Sequence, residues 1–226
     1  MPFAVVLDTC VIYPAHLRDT LLRLAERGLY RVLWSPDIIE ELHRNLVKSG
    51  IDKRHVERLA AEMNGAFPDA SVTGYASLIE GLTCDPKDRH VLAAAVRANA
   101  SCIVTFNTID FPAASVDPFE VEVIEPDTFL LDQLDLAPSA VLDELVRQAA
   151  ANRREPKTLR RMLDALAKAG VPPFGHSTQL RVFVDPDLLQ YDEVWAAAGT
   201  WNDNFGANPN DIVRVAGGVV TDLKRG

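Results

Sequence analysis

The sequence has 226 residues, 48% of them hydrophobic, and a formal net charge of −9, which suits one domain of ordinary size with an appendage and a sizeable core. No apolar run approaches the roughly 18–20 residues of a membrane span, and the first residues lack the basic region of a signal peptide. Cys10, Cys84 and Cys102 show no Cys-x-x-Cys spacing. This argues against a structural zinc site and a disulfide framework, and favours a cytoplasmic protein with reduced thiols.

The first half of the chain alternates short apolar runs with stretches of helical periodicity. Four runs are typical of buried strands: residues 3–7, 30–34, 102–106 and 120–124. The helices predicted between them cover about residues 19–27, 36–49 and 52–63, with a further helix starting at Asp85. The alternation predicts an α/β fold whose parallel sheet is covered by helices on both faces.

The second half has a different composition. Its periodicity predicts three helices, at residues 126–134, 138–151 and 157–169, which we interpret as a helical extension. Beyond about residue 181 we expect a tail of unknown role. It would contain a possible helix at 186–198, a loop rich in Asn and Asp at 201–210 and a final apolar run at 212–220.

Four acidic residues stand where strands and helices are expected to meet: Asp8, Glu41, Asp88 and Asp110. Asp8 ends the first apolar run, and Asp110 follows the run at 102–106. Ligand sites in open parallel sheets lie at the carboxyl ends of strands and at helix starts. Gathered carboxylates repel one another unless a cation neutralises them, and Mg2+ and Mn2+ prefer oxygen ligands. The pattern predicts a carboxylate metal site suited to hydrolysing phosphodiester bonds.

Three polar residues lie beside these acids in the sequence. Asn107, on the loop after a predicted strand, would complete the shell of a second ion together with Asp110. Thr9 and Thr105 offer hydroxyl groups to carboxylates, water or phosphate. We therefore expect Asn107 among the metal ligands, and both threonines just behind them.

Each acid also has an ordinary structural interpretation. Asp88 could cap its helix, Glu41 could be a solvated helix residue, and Asp110, which precedes Phe-Pro, could only form a turn. Asp8 is harder to explain in this way, because a charge directly after five apolar residues needs a partner. Taken together, the four favour a functional site.

Four stretches of the chain resemble the PIN-domain family, in particular the VapC-type toxins of bacterial type II toxin–antitoxin pairs. They are Val5-Val-Leu-Asp-Thr-Cys-Val11, Ser35-Pro-Asp-Ile-Ile-Glu-Glu-Leu42, Asp85-Pro-Lys-Asp-Arg-His-Val-Leu-Ala-Ala-Ala95 and Ile103-Val-Thr-Phe-Asn-Thr-Ile-Asp-Phe-Pro112. The resemblance covers about residues 1–133. It divides the chain into a nuclease domain over 1–133, a helical extension over 134–180 and a tail over 181–226.

The resemblance implies a metal-dependent endoribonuclease with a three-layer α/β/α sandwich, using Mg2+ or Mn2+. It also implies an RNA substrate, a cognate antitoxin protein that silences the enzyme, and commonly a homodimer. Asp8, Glu41 and Asp88 match the family's acidic positions. At the fourth position many members have Asp where this chain has the neutral Asn107, followed by Asp110. Whether the site takes one metal ion or two is therefore open.

Five basic side chains are candidates for contacts with RNA: Arg44, Arg89, His90, Arg153 and Arg154. The last two begin a locally basic run that also suits an acidic antitoxin segment, although a solvated helical face explains such a run equally well. The overall negative charge decides little, because charge distribution matters more than its sum.

Two other functions remain open. One is a catalytically weak PIN-fold module that binds RNA or protein, with second-metal affinity lost through Asn107. The other is a haloacid-dehalogenase-like phosphatase, which also starts from an Asp at a strand end. That chemistry needs a second Asp two residues further on, where this chain has Cys10.

Overall fold

A computed structural model describes residues 2–171, 183–192, 194–197, 204–210, 213 and 219–221. It consists of two compact units, Met1–Val171 and Pro172–Gly226, and each is described by itself. Among the described residues, no helix combines the length and the apolar character needed to cross a membrane.

The first unit is built on a four-stranded sheet whose strands all run parallel. The strands are β1 (Ala4–Leu7), β2 (Arg31–Leu33), β3 (Cys102–Val104) and β4 (Glu122–Ile124). They lie in the order β2-β1-β3-β4. The two central strands are buried along their whole length, which explains why their sequences are continuous apolar runs rather than alternating ones. The predicted α/β fold with a central parallel sheet is confirmed.

Six helices connect these strands: α1 (Thr9–Ile12), α2 (Ala15–Glu26), α3 (Pro36–Lys48), α4 (Lys53–Ala66), α5 (Arg89–Ala98) and α6 (Ala113–Val116). Single 3-10 segments lie at Ala76–Gly81, Thr108–Asp110 and Asp117–Phe119. In α3 the Ser35 hydroxyl accepts the Ile38 N–H, and Pro36 occupies the first turn. This start fixes the phase of the helix, so that Ile38 and Leu42 are buried and Glu41 lies beside them, half-buried.

The strand order creates one edge suited to a functional site. The chain steps from β1 to β2 in one direction, then passes back over β1 to β3 and β4. Because such crossovers are right-handed, α2 and α5 cover opposite faces of the sheet. The connections therefore part between β1 and β3, and the crevice at the carboxyl ends of these strands is where open α/β sheets bind ligands.

The start of α5 differs from the prediction. The sequence predicts a helix from Asp85, whereas α5 begins at Arg89. The Asp85 carboxylate accepts the Lys87 N–H at 3.0 Å, and the Asp85 carbonyl accepts the Asp88 N–H at 2.9 Å. These bonds hold residues 85–88 as a turn, so Asp88 stands at the N-cap instead of inside the first turn.

Three helices extend the first unit: α7 (Pro126–Leu136), α8 (Pro138–Ala151) and α9 (Leu159–Lys168). The helical extension is confirmed, and α8 packs against α2 through a charged cluster. Within it, Arg27 Nε lies 2.6 Å and Arg147 Nη1 lies 3.0 Å from Glu144 Oε1. Thr20 also donates its hydroxyl to Gln148 at 2.7 Å. The contacts of Arg27 and Thr20 bind α8 to α2 and its C-cap, whereas the contact of Arg147 with Glu144 lies within α8. Where the chain divides into domains stays a prediction.

The basic run before α9 does not form part of a helical face at its start. Residues 153–155 form a bend, and α9 begins only at Leu159 after its Thr158 cap. The Asn152 side chain donates to the Pro156 carbonyl at 2.7 Å, which holds this segment out of the helix. Arg153 and Arg154 are exposed on the bend.

The second unit contains strands where the sequence predicts a helix and a loop. Its described elements are β5 (Phe183–Val184), a 3-10 segment at Pro186–Gln190, β6 (Val194–Ala197), β7 (Asn204–Ala207) and β8 (Val219–Val220). β6 pairs antiparallel with β7, and β5 pairs parallel with β8. The predicted helix at 186–198 is wrong, because its second half pairs as a strand with part of the predicted loop. Most of the predicted apolar run at 212–220 lies outside the described residues.

Candidate active site at the carboxyl ends of β1 and β3

Asp8 lies directly after β1 and is 3% exposed. Its backbone N–H donates to the Val104 carbonyl at 3.1 Å, which continues the ladder between β1 and β3. The Thr9 N–H donates to Asp8 Oδ1 at 2.6 Å, and the Thr105 hydroxyl donates to Asp8 Oδ2 at 2.6 Å. The carboxylate is therefore held rigidly across the two central strands.

The two predicted threonines make the contacts nearest to the acids. The Asn107 N–H donates to Thr105 Oγ1 at 3.0 Å, so that Thr105 links the loop after β3 to Asp8. The Thr9 hydroxyl donates to Glu41 Oε2 at 2.8 Å and so ties α3 to the end of β1. Each hydroxyl thus orients one carboxylate toward the crevice.

Cys10 belongs to the same network, which the sequence did not reveal. Its thiol donates to Asp8 Oδ2 at 3.2 Å, and its sulfur accepts the Phe106 N–H at 3.2 Å. Burial and then the charge of Asp8 raise the pKa of Cys10 to about 12. The thiol therefore favours its neutral form and donates its proton to the Asp8 carboxylate.

Asp88 makes no capping hydrogen bond, although it occupies the N-cap of α5. It is 8% exposed, and its Oδ2 atom is buried without a hydrogen-bond partner among the described residues. Burial, followed by the negative charge of Asp8, raises the pKa of Asp88 to about 7. A buried carboxylate oxygen without a hydrogen bond is typical of functional sites, and helix capping does not account for it.

These side chains surround two neighbouring cavities. The first has a volume of about 540 Å³, and its lining includes Asp8, Glu41, Asp88 and Asn107. The second has a volume of about 420 Å³ and shares Glu41, Asp88 and Asn107 with the first. Four of the predicted metal ligands thus come together at one edge of the sheet.

Asp110 is the predicted ligand that the structure places apart. It lines neither cavity. Its Oδ2 lies 3.0 Å from the ammonium of Lys87, a residue that sequence reasoning missed. The Asp110 carbonyl also accepts the Asp85 N–H at 3.0 Å, which joins the loop after β3 to the turn before α5. The only signal for Lys87 in the sequence is its position next to Asp88.

The candidate RNA contacts divide into two groups. Arg44 and His90 line the second cavity, and His90 Nε2 lies 3.9 Å from Glu41 Oε2. Arg89 instead donates through Nε to the Cys84 carbonyl at 3.3 Å and lines neither cavity. Arg153 and Arg154 also lie outside both linings.

The donor set suits a hard divalent cation, because Asp8, Glu41, Asp88 and Asn107, which line the first cavity, carry carboxylate and amide oxygens. The buried Asp88 oxygen without a partner is the clearest structural support for a cation there. As the side chains stand, no three His, Cys, Asp or Glu groups among the described residues converge on one point. Ligation therefore requires carboxylate side chains to turn toward a shared position.

Comparison with known proteins agrees with this geometry. A family model for the PIN domain matches residues 4–109, and one for the VapC50 C-terminal domain matches residues 126–177. The protein named "Putative ribonuclease VapC50" from Mycobacterium tuberculosis (strain H37Rv) is 44% identical over 101 residues. This region is 45% of the chain and only 59% of the relative's length. No solved structure shows a significant match.

The matched regions coincide with the structural features described above. The PIN-domain match includes strands β1 to β3 and the side chains of the carboxylate crevice, and the second match includes α7 to α9. Residues 4–109 therefore form a PIN domain, and the likeness to VapC50 proteins extends to helices α7 to α9.

Proposed function

We propose that the protein is a metal-dependent endoribonuclease that hydrolyses RNA phosphodiester bonds with water as the nucleophile. The observation that carries the proposal is the buried Asp88 carboxylate, one oxygen of which has no hydrogen bond, beside the rigidly held Asp8 at the carboxyl ends of β1 and β3. Neighbouring buried carboxylates are unfavourable for folding, so their presence in an open crevice points to a cationic cofactor.

Asp8, Glu41, Asp88 and Asn107 would hold Mg2+ or Mn2+ in this crevice. When bound, such an ion supplies positive charge for the non-bridging phosphate oxygens and lowers the pKa of water. Thr105 and Thr9 keep the Asp8 and Glu41 carboxylates oriented throughout the reaction. Asp110 acts at the edge of the site through Lys87.

Arg44 and His90 are proposed to contact the RNA backbone, because they line the second cavity next to the shared acids. A guanidinium group there would offer hydrogen bonds to phosphate oxygens. Arg89, Arg153 and Arg154 have no such position relative to the cavities, and we do not propose them as contacts to the scissile phosphate.

The experiment that tests the proposal is cleavage of total cellular RNA by the purified chain in Mg2+ or Mn2+. Asp8→Asn and Glu41→Gln should each lower the cleavage rate at least about 100-fold, since each removes one charge of the ligand set. The matched control is Glu57→Gln, an exposed glutamate on α4 that pairs with Lys53 at 3.7 Å. It should leave the rate unchanged.

A second candidate is a catalytically weak module that binds RNA or protein, favoured by the neutral Asn107 in the lining of both cavities. Intact RNA in the presence of folded protein that binds Mn2+ would support this candidate and contradict the nuclease. Asn107→Asp separates the two further. This substitution adds a negative charge at the site, and it should raise the cleavage rate if the neutral Asn107 limits the metal affinity.

We also propose that the protein is a cytoplasmic toxin, homodimeric and silenced by a cognate antitoxin. The support is the match of residues 126–177 to the VapC50 C-terminal domain and the likeness to the protein named "Putative ribonuclease VapC50". Expression of the chain alone should arrest bacterial growth, and Glu41→Gln should not. Relief of that arrest by a co-expressed partner that copurifies with the chain would identify the antitoxin, and sedimentation of the free chain would give its oligomeric state.

A further inference from the structure

Lys87 is a cation built into the edge of the carboxylate crevice. Its ammonium lies 3.0 Å from Asp110 Oδ2 and 3.8 Å from Asp88 Oδ2. Lys87 therefore lies between Asp88, which lines both cavities, and Asp110, which lines neither. Its side chain is 63% exposed, so the ammonium keeps hydrogen-bonding capacity toward the second cavity, whose lining includes Lys87.

The position of Lys87 is fixed by the backbone around it. The Lys87 N–H donates to the Asp85 carboxylate at 3.0 Å, which places the residue in the turn before α5. The Asp85 N–H in turn donates to the Asp110 carbonyl at 3.0 Å. The two segments that carry the ion pair are thus joined through their main chains, which keeps the backbone of Lys87 close to Asp110.

The side chains around Lys87 offer too little free negative charge to bind a second divalent ion. Asp110 is engaged by the ammonium, and Asn107, which lines both cavities, brings no charge. Asp8, Glu41 and Asp88 remain for metal binding. Three carboxylates together with one neutral amide suit one divalent ion better than two, because each added ion needs its own compensating oxygen ligands.

We propose that Lys87 takes the place of a second divalent ion, so that the protein binds one Mg2+ or Mn2+ per chain and uses the lysine ammonium to neutralise Asp88 and Asp110. This inference rests on the proposed nuclease function. Lys87 acts as a positioning residue through the two carboxylates.

The test is to count Mn2+ ions by isothermal titration and to follow RNA cleavage as the Mn2+ concentration rises. The wild-type chain should bind one Mn2+, and its cleavage rate should rise hyperbolically. In Lys87→Met the freed carboxylates should accept a second Mn2+. Cleavage should then become sigmoidal and need at least about 10-fold more Mn2+, since a weakly held ion replaces a covalently attached charge. Lys87→Arg keeps the charge and should retain the single-ion behaviour.

Lys53→Met is the matched control. Lys53 is similarly exposed, at 69%, and also pairs with an acid, Glu57, but it lies on α4 outside both cavity linings. It should leave both the Mn2+ count and the cleavage curve unchanged.

Two results would overturn the inference. One is a wild-type chain that binds two Mn2+ and cleaves RNA, which leaves the nuclease function intact. The other is a folded Lys87→Met protein that still binds a single Mn2+. A wild-type chain that binds one Mn2+ and a Lys87→Met chain that binds two, both without cleavage, would uphold the role of Lys87 and remove the nuclease function instead.

Discussion

Two buried carboxylates in the first unit have nearly the same exposure and opposite surroundings. Glu144 on α8 is 7% exposed, and Asp88 before α5 is 8% exposed. Glu144 lies within 4 Å of the guanidinium groups of Arg23, Arg27 and Arg147. Asp88 has one oxygen without a hydrogen bond, and its nearest cation, Lys87, is 3.8 Å away.

The comparison teaches that burial of an acid does not by itself indicate function. Glu144 is neutralised by the chain, so its charge binds α8 to α2 and has no need of a ligand. Asp88 has only the ammonium of Lys87, 3.8 Å away, as a nearby cation, and its burial, followed by the charge of Asp8, raises its pKa to about 7. The chain keeps this unfavourable arrangement at an open crevice, where a cation can relieve it.

The largest expected effect separates the two acids by activity. Asp88→Asn should lower the RNA cleavage rate at least about 100-fold, because it removes a charge of the proposed ligand set. Glu144→Gln should leave the rate of the folded enzyme within about 2-fold, since Glu144 contacts neither cavity. Rates measured at saturating Mn2+, with folding checked by circular dichroism, decide this. Equal losses in both variants would contradict the distinction.

The next expected effect is on stability, and here the substitution of Glu144, not that of Asp88, should cause the loss. Glu144→Gln should lower the free energy of unfolding by about 2–3 kcal/mol, because it leaves a cluster of arginines without their buried counter-charge. Asp143→Asn is the control. Its side chain is 62% exposed and pairs with Arg27 at 3.5 Å, so it should change stability by at most about 0.5 kcal/mol. Urea unfolding curves give both values, and similar losses would show that the cluster is not stabilising.

A smaller effect compares two buried threonines. Thr105→Val should lower the cleavage rate about 10-fold, because Asp8 loses the hydroxyl that orients it. Thr20→Val removes an equally buried hydroxyl that donates to Gln148 in the α2–α8 contact. It should reduce stability without changing the rate of the folded protein. If Thr20→Val lowered the cleavage rate and Thr105→Val did not, the hydroxyl that supports cleavage would lie in the α2–α8 contact and not beside Asp8.

The smallest effect is a pH dependence of stability in chelator, without divalent ions. Because the pKa of Asp88 is raised to about 7 in the folded protein, folding favours its protonated form. The contribution of Asp88 to the stability of the wild-type chain should therefore fall as the pH rises from about 4 to 7. Asp88→Asn lacks this loss. It should be more stable than wild type by about 1–2 kcal/mol at pH 8, less than the full shift implies because nearby solvent screens the charge.

Thermal unfolding of both proteins at pH 4 and pH 8 measures this difference. The two should have similar stability at pH 4, where Asp88 is protonated. Asp143→Asn again serves as the control and should show no such divergence. A difference between wild type and Asp88→Asn that is independent of pH would show that the charge of Asp88 is not the cause.

Much of the first unit was predictable from local patterns. The apolar runs and the helical periodicity predicted all four strands of the sheet and most helices of residues 1–171 to within a few residues, because their burial follows from continuous or periodic hydrophobic residues. The second unit was not predictable in this way. Residues 194–197 read as part of a helix but pair with 204–207 as a strand, since strand pairing depends on a partner outside any local window.

The sequence by itself determined that acidic residues follow the first and third strands and open a helix, and that the chain resembles PIN domains. Only the tertiary structure decided which acids share a crevice and which are compensated. It joined Asp8 to Thr105 and Cys10, left the Asp88 Oδ2 atom without a hydrogen bond and turned Asp110 toward Lys87. The physical reason is that the state of a carboxylate depends on burial and on charges within a few ångströms, which the chain brings together only when the strands pair.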